Sequence, residues 1–289
     1  MSPVSGAEGC QETRGTTSER LHHRMRAIVL TSSLRRHAFV ANRLAARLPV
    51  ESVWREQKTF EPLKYAGSEE DAAVIARHFA ARDTSEEAYF AAESSVTAPS
   101  RSVGPGGCND PAEIARMREV APDVVLVFGT GLLKTPLIET FPGRILNIHL
   151  GLSPYYRGAG TNFWPLVNGE PEYCGATIHF LDAGIDTGPI IAHVRPGMSA
   201  ADGPHDIGNK TIVAAAAALA DAACALEEGT LVGIPQEGGG RLYKRADFAA
   251  AAVRRLYENF ESGMIGAYLK DKTARDAALS LASLKKVTR

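Results

Sequence analysis

The stretch RILNIHLGLSPYYRGAG places Asn147 and His149 two residues apart at the end of an apolar run. On a strand such a pair points to one side, an amide and an imidazole aimed at one small group. Taken alone, the pair is equally well explained as a capped strand end with a half-buried histidine. Further on, TIHFLDAGIDTGPII puts Thr177, His179 and Leu181 on one strand face and sets two acids, Asp182 and Asp186, around a turn with Gly184 and Gly188. Turn aspartates usually hydrogen-bond their own backbone, which suits Asp182. Asp186 sits between an apolar residue and the next strand, and a carboxylate buried near a histidine orients the ring and favours its charged form. Asn147, His149 and Asp186 make a set for acyl transfer. One donor holds a carbonyl oxygen, one acid–base group moves protons, and one carboxylate positions it. Ser153 lies nearby without a G-x-S-x-G elbow, so direct attack by a substrate amine is simpler than a covalent enzyme intermediate.

The elements that must carry these residues alternate. MRAIVLTSS reads as a buried strand and RRHAFVANRLAARL as a helix; VESVW is a second strand, and one or two helices follow. PAEIARMREVA is a helix capped by Asp110, PDVVLVFG a buried strand, TPLIETF a short helix and RILNIHL the next strand. The expected fold is α/β, Rossmann-like, a mostly parallel sheet with helices on both faces. VTAPSRSVGPGGCND reads as a surface loop. Past Gly151 a short helix ends at Gly169, two strands flank the aspartate turn, and HDIGNKTIVAAAAALADAACALEEG is a long helix stopped by Gly229. Its most apolar stretch, TIVAAAAALADAACAL, has the length of a buried helix and reads as too short and alanine-rich for a membrane span. One amphipathic helix near residues 253–268 and a fraying tail from Lys270 complete the chain. The expected organisation is a disordered tail over residues 1–23, a catalytic domain over 24–229 and a mainly helical extension over 230–289.

Composition narrows the class. The chain has 289 residues, 45% hydrophobic and 22% charged, with a formal net charge of −1. That balance does not suggest a dedicated nucleic-acid binder, and a small-molecule acceptor with no nucleic-acid or membrane partner is expected. Cys10, Cys108, Cys174 and Cys224 form no CxxC pair, so they read as free thiols in a cytoplasmic protein. The histidines outside the motifs show no H-x-x-x-H pairing and are assigned no metal role. FGTGLLKTP carries GxG after a strand, but Lys134 stands where a dinucleotide motif needs its third glycine.

NIHLGLSPYYRG followed by GATIHFLDAGIDTGPII resembles the folate-dependent formyltransferase family, which includes glycinamide ribonucleotide, methionyl-tRNA and sugar amine formyltransferases. The resemblance runs over residues 24–229. It implies 10-formyltetrahydrofolate as one-carbon donor and Asn147, His149 and Asp186 as catalytic residues. It places the pterin between Gly129, Thr130, Gly131, Leu132 and Leu133 on one side and Leu181, Asp182, Gly184 and Ile185 on the other. Leu132, Leu133 and Ile185 would cover its faces. Gly151, Ser153 and Arg157 fall where the acceptor would bind. Many members carry serine where Gly151 stands. TSSLRRHAF lacks the glycine-rich phosphate turn of the glycinamide ribonucleotide enzymes, leaving Arg35 or Arg36 for another anion. The tRNA enzymes add a C-terminal β-domain, and no such strand pattern follows Gly229, which argues against tRNA. A hydrolase releasing formate, or a non-catalytic folate-binding protein, are the other functions this resemblance allows.

Overall fold

The computed structural model describes residues 25–59, 61–93 and 95–285; the expected tail over residues 1–23 lies outside them. The strands are β1 (Ala27–Ser32), β2 (Val50–Glu56), β3 (Ser100–Val103), β4 (Val124–Phe128), β5 (Ile145–His149), β6 (Tyr156–Gly158), β7 (Ala176–Phe180), β8 (Ile190–Val194) and β9 (Arg241–Tyr243). The helices are α1 (Arg35–Ala45), α2 (Glu69–Phe90), α3 (Pro111–Val120), α4 (Thr135–Thr140), α5 (Trp164–Val167), α6 (Pro204–Glu227), α7 (Ala250–Glu261), α8 (Met264–Lys270) and α9 (Lys272–Ala277).

Seven strands form one sheet in the order β3-β2-β1-β4-β5-β7-β8. The first five are parallel; β7 and β8 run antiparallel. β1 and β4 are buried along their whole length, which is why they read as unbroken apolar runs. On one face Leu146 and Ile148 of β5 join Phe39 and Val40 of α1 and Ala215, Ala216 and Leu219 of α6. On the other, Ile28, Leu30, Val125, Val127 and Ile145 join Met117 of α3 and Leu137 of α4. Alternation therefore turns Asn147 and His149 to the second face, beyond Ile145.

Several expectations need correction. VTAPSRSVGPGGCND is not simply a loop: it contributes the edge strand β3 and a 3₁₀ turn over Gly107–Asn109. Its exposed, polar side chains hid a strand whose partner is β2 alone. The apolar helix is not too short: α6 has 24 residues and is long and apolar enough to cross a membrane by length and composition. It packs against α1, α2 and strands β5, β7 and β8, and Gly229, with φ 65°, ends it as expected. The single helix near residues 253–268 is two, α7 and α8, broken at Gly263 with φ 81°. The tail does not fray within the described residues: Arg195 grips Asp276 of α9 at 2.6 Å, and Ala282 N–H donates to His193 Nδ1 at 2.9 Å. Cys108, Cys174 and Cys224 are free thiols, as expected.

Candidate active site

β5 carries Asn147 in its middle and His149 as its last residue, and β7 lies beside it with His179 opposite Asn147 and Thr177 opposite His149. Asn147 Nδ2 and His179 Nε2 are 2.9 Å apart. The other ring nitrogen, Nδ1, faces the Phe180 carbonyl at 2.8 Å and must carry the hydrogen. Nε2 is therefore an acceptor, and the Asn147 amide nitrogen donates to it, leaving that nitrogen a second N–H. The sequence left the role of His179 open; the structure makes it the group that orients Asn147. Its signal was present in the sequence, because Thr177 and His179 share a strand face.

The loop between β7 and β8 folds back over this face. Phe180 leaves the sheet opposite Leu146, yet Asp186 returns to place Oδ1 3.3 Å from His149 Nδ1. Asp186 Oδ2 accepts the Gly158 N–H at 3.2 Å. His149 Nε2 donates to the Tyr156 carbonyl at 3.0 Å. Both imidazole nitrogens thus face acceptors, the pattern a doubly protonated ring satisfies. Burial pushes the Asp186 carboxyl up, but the His149 hydrogen bond and charge, with the Gly158 N–H, outweigh it and hold it below its ordinary value. The structure therefore brings Asn147, His149 and Asp186 together.

The expected acceptor residues fare unevenly. Gly151 abuts the site: a Cβ there would lie 2.6 Å from His149 Nε2 and 2.6 Å from Thr161 Cβ. A serine at this position would collide with the imidazole, so the glycine is tied to the ring's orientation. Ser153 is enclosed beside Thr177. It is fully buried, its N–H donates to Thr177 and its carbonyl accepts from His193. The Thr177 hydroxyl in turn donates to the Gly151 carbonyl, and the buried Ser153 hydroxyl has no hydrogen-bond partner among the described residues. Arg157 is half-buried on β6 with its Nε unpartnered. Arg35 and Arg36 do not stand free for an anion: they pair with Glu87 and Glu86 of α2.

The two expected pterin loops differ in what they offer. Leu132 is 65% exposed and Ile185 53% exposed, free to meet a flat ligand. Leu133 is not: at 6% exposure it belongs to the core beside Leu137. Leu181 packs against that same core. Gly129 lies against His37, so the strand end bends where a side chain would strike the ring. Gly131 N–H is taken by Glu56 at 2.8 Å, the Thr130 carbonyl by Lys58 at 3.2 Å and the Leu132 carbonyl by Asn109 at 3.0 Å. This loop is a ledge held from behind, not a row of free backbone groups. Asp182 likewise serves its own turn, accepting from Gly184 N–H at 3.1 Å and from Thr187. The N–H groups of Gly131 and Gly184 are therefore already taken, while the Leu132 and Ile185 side chains stand exposed.

Residues 52–223 match the formyl transferase family. The chain belongs to that family. Among relatives, the methionyl-tRNA formyltransferase of Streptomyces coelicolor is 31% identical over 200 residues, covering 65% of this chain and 64% of that protein. The methionyl-tRNA formyltransferase of Desulforamulus reducens is 34% identical over 121 residues, covering 42% of this chain and 38% of that protein. The chain thus spans less than two thirds of the length of these relatives. Solved structures share the fold: glycinamide ribonucleotide transformylase 1 from Symbiobacterium toebii has TM-score 0.52 at 24% identity, covering 76% of this chain and 93% of that one. A sugar N-formyltransferase from a Shewanella species has TM-score 0.51 at 16% identity, covering 78% of each. The expectation of no nucleic-acid partner is overturned by these formyltransferase relatives, which by name act on methionyl-tRNA. A near-neutral net charge averages the whole surface and says little about one face of a formyltransferase.

Burial makes His179 a pH-dependent liability. Desolvation, with the charge of His149, pushes its pKa down to about 4, against 6.5 ordinarily. Desolvation pushes half-buried His205 to about 4 and buried His78 to about 3. Each binds a proton more weakly folded than unfolded. Stability is therefore full above pH 6.5 and lost as pH falls from 6.5 towards 4. His179 alone accounts for about 2 kcal/mol between pH 7 and 5. The carboxyls held low, Asp186 and Asp276, act only below pH 3.8 and lie outside that window. Urea unfolding at pH 7, 6 and 5 is expected to show a steady loss, smaller in His179→Gln; equal stability at pH 7 and 5 contradicts the buried neutral state.

Proposed function

We propose that the chain transfers a formyl group from 10-formyltetrahydrofolate to a primary amine, with Asn147, His149 and Asp186 as its catalytic residues. The observation that carries this reading is the convergence of an amide, an imidazole and a carboxylate from β5 and the β7–β8 loop on one strand face. The exposed Leu132 and Ile185 on the two bordering loops support an aromatic donor lying across that face. The acceptor amine attacks the formyl carbon directly. Asn147 donates its second N–H to the formyl oxygen as that oxygen becomes an oxyanion. His149 exchanges the Tyr156 carbonyl for the reacting groups, delivers its Nε2 proton to the folate nitrogen that leaves and takes back the proton the amine loses. Asp186 holds the ring and stabilises its charged form. Bonds and protons balance: a C–N bond forms to the amine, one breaks to the folate, and one proton moves between the two nitrogens.

A small-molecule amine is the finer reading of the acceptor, and the half-buried Arg157 beside the site supports an anionic group on it. The test is mass spectrometry after incubation with 10-formyltetrahydrofolate and a panel of amino sugars, amino acids and methionyl-tRNA. The expected result is a gain of one formyl mass on a small amine. A gain on methionyl-tRNA alone refutes the small-molecule reading but keeps formyl transfer. Formate released equally with and without amines refutes transfer in favour of hydrolysis.

A further inference from the structure

The segment that links α6 to α7 crosses the back of the site. Ile234 bridges Ile190 at the start of β8, with both main-chain hydrogen bonds at 2.7 Å. Two residues later Gln236 turns its amide onto the β7–β8 loop. Its Nε2 donates to the Asp186 carbonyl at 2.9 Å and to the Gly188 carbonyl at 2.7 Å. Only the amide nitrogen can face two carbonyls, so chemistry settles which way this side chain lies. The segment then forms β9, which pairs with β6 through Tyr156–Arg241 and Gly158–Tyr243. β6 supplies both the carbonyl that takes the His149 Nε2–H and the N–H that binds Asp186 Oδ2. The groups that hold the His149–Asp186 pair are thus tied, from two sides, to residues 234–243.

Asp186 needs such a tie. Its φ is 52°, a left-handed conformation that few non-glycine residues adopt, aspartate more readily than most. It is kept only where surrounding structure over-determines it. Its own loop does little of this, since Gly184 and Ile185 are exposed and Asp182 braces only Gly184 and Thr187. Gln236 bonds the carbonyls of the two residues that flank Thr187, Asp186 and Gly188, with the two hydrogens of one nitrogen.

We infer that Gln236 is a positioning residue, which clamps the Asp186 and Gly188 carbonyls and so holds the Asp186 carboxylate against His149. Its catalytic consequence rests on the formyl-transfer reading; the clamp itself does not. Gln236→Leu keeps the volume and removes both donors. It is expected to lower kcat for formyl transfer about tenfold to a hundredfold, with KM for the folate nearly unchanged, because an ångström of misplacement costs that much. In an Asp186→Asn background the same change is expected to cost less than twofold, since residues acting through one group are not additive. Hydrogen exchange over residues 181–189 should quicken in Gln236→Leu while exchange in α6 holds. Equal losses in both backgrounds, or unchanged exchange in that loop, overturn the inference. If the wild-type protein transfers no formyl group at all, the functional reading fails, and loop exchange alone decides whether the clamp exists.

Discussion

Replacing His149 with alanine is expected to lower kcat/KM for formyl transfer by about 10² to 10⁴, the usual worth of a positioned acid–base group. His149 bridges the Tyr156 carbonyl and the Asp186 carboxylate, so its loss removes the group that joins them. The variant takes the imidazole donor from the Tyr156 carbonyl and leaves the half-buried Asp186 carboxylate with the Gly158 N–H but without its histidine, which costs stability on the order of 1–3 kcal/mol. The comparison that separates chemistry from folding is therefore the double variant His149→Ala, Asp186→Asn. If the pair acts as a unit, its kcat/KM equals that of His149→Ala alone, while part of the lost stability returns because the stranded charge is gone. Losses that multiply in the double variant would mean that Asp186 works independently of His149.

Asn147→Leu is expected to lower kcat about 10²- to 10³-fold, the effect of removing one oxyanion donor. Folate affinity, measured by equilibrium binding, should hold, because the donor acts where charge develops and not where the pterin rests. Asn147→Asp is the sharper probe. A carboxylate has no N–H, so it can neither donate to His179 Nε2 nor to a formyl oxygen. Restoring contact with His179 needs a proton on Nε2, which deep burial opposes. The aspartate variant should therefore be as slow as the leucine one. An aspartate variant within tenfold of wild type removes Asn147 from the chemistry.

Much of the fold was legible, and the physical reasons are specific. β1 and β4 are buried on both faces, so their apolar runs could not be mistaken. β3 pairs along one edge and leaves most of its side chains in water, so nothing in its composition announced a strand. Gly263 split one amphipathic pattern into α7 and α8 because helical periodicity continues across a single left-handed residue. At the site, the face shared by Asn147 and His149 followed from the two-residue period alone. That Ser153 is fully buried, that Leu133 is core, and that Arg35 and Arg36 answer to α2 depended on neighbours far away in the chain.

The sequence by itself determined the residue types and their local geometry: an amide and an imidazole on one strand face, and an acid in a glycine-bounded turn. These are short-range properties, set by the pleat and by which residues tolerate a turn. Only the tertiary structure decided which way each group presents its hydrogens. His179 acquires its tautomer from the Phe180 carbonyl, Asn147 takes its orientation from His179, and Asp186 reaches His149 because a loop folds back and Gln236, fifty residues away, holds it there. Hydrogen-bond direction depends on partners contributed by other elements, and no local pattern encodes it.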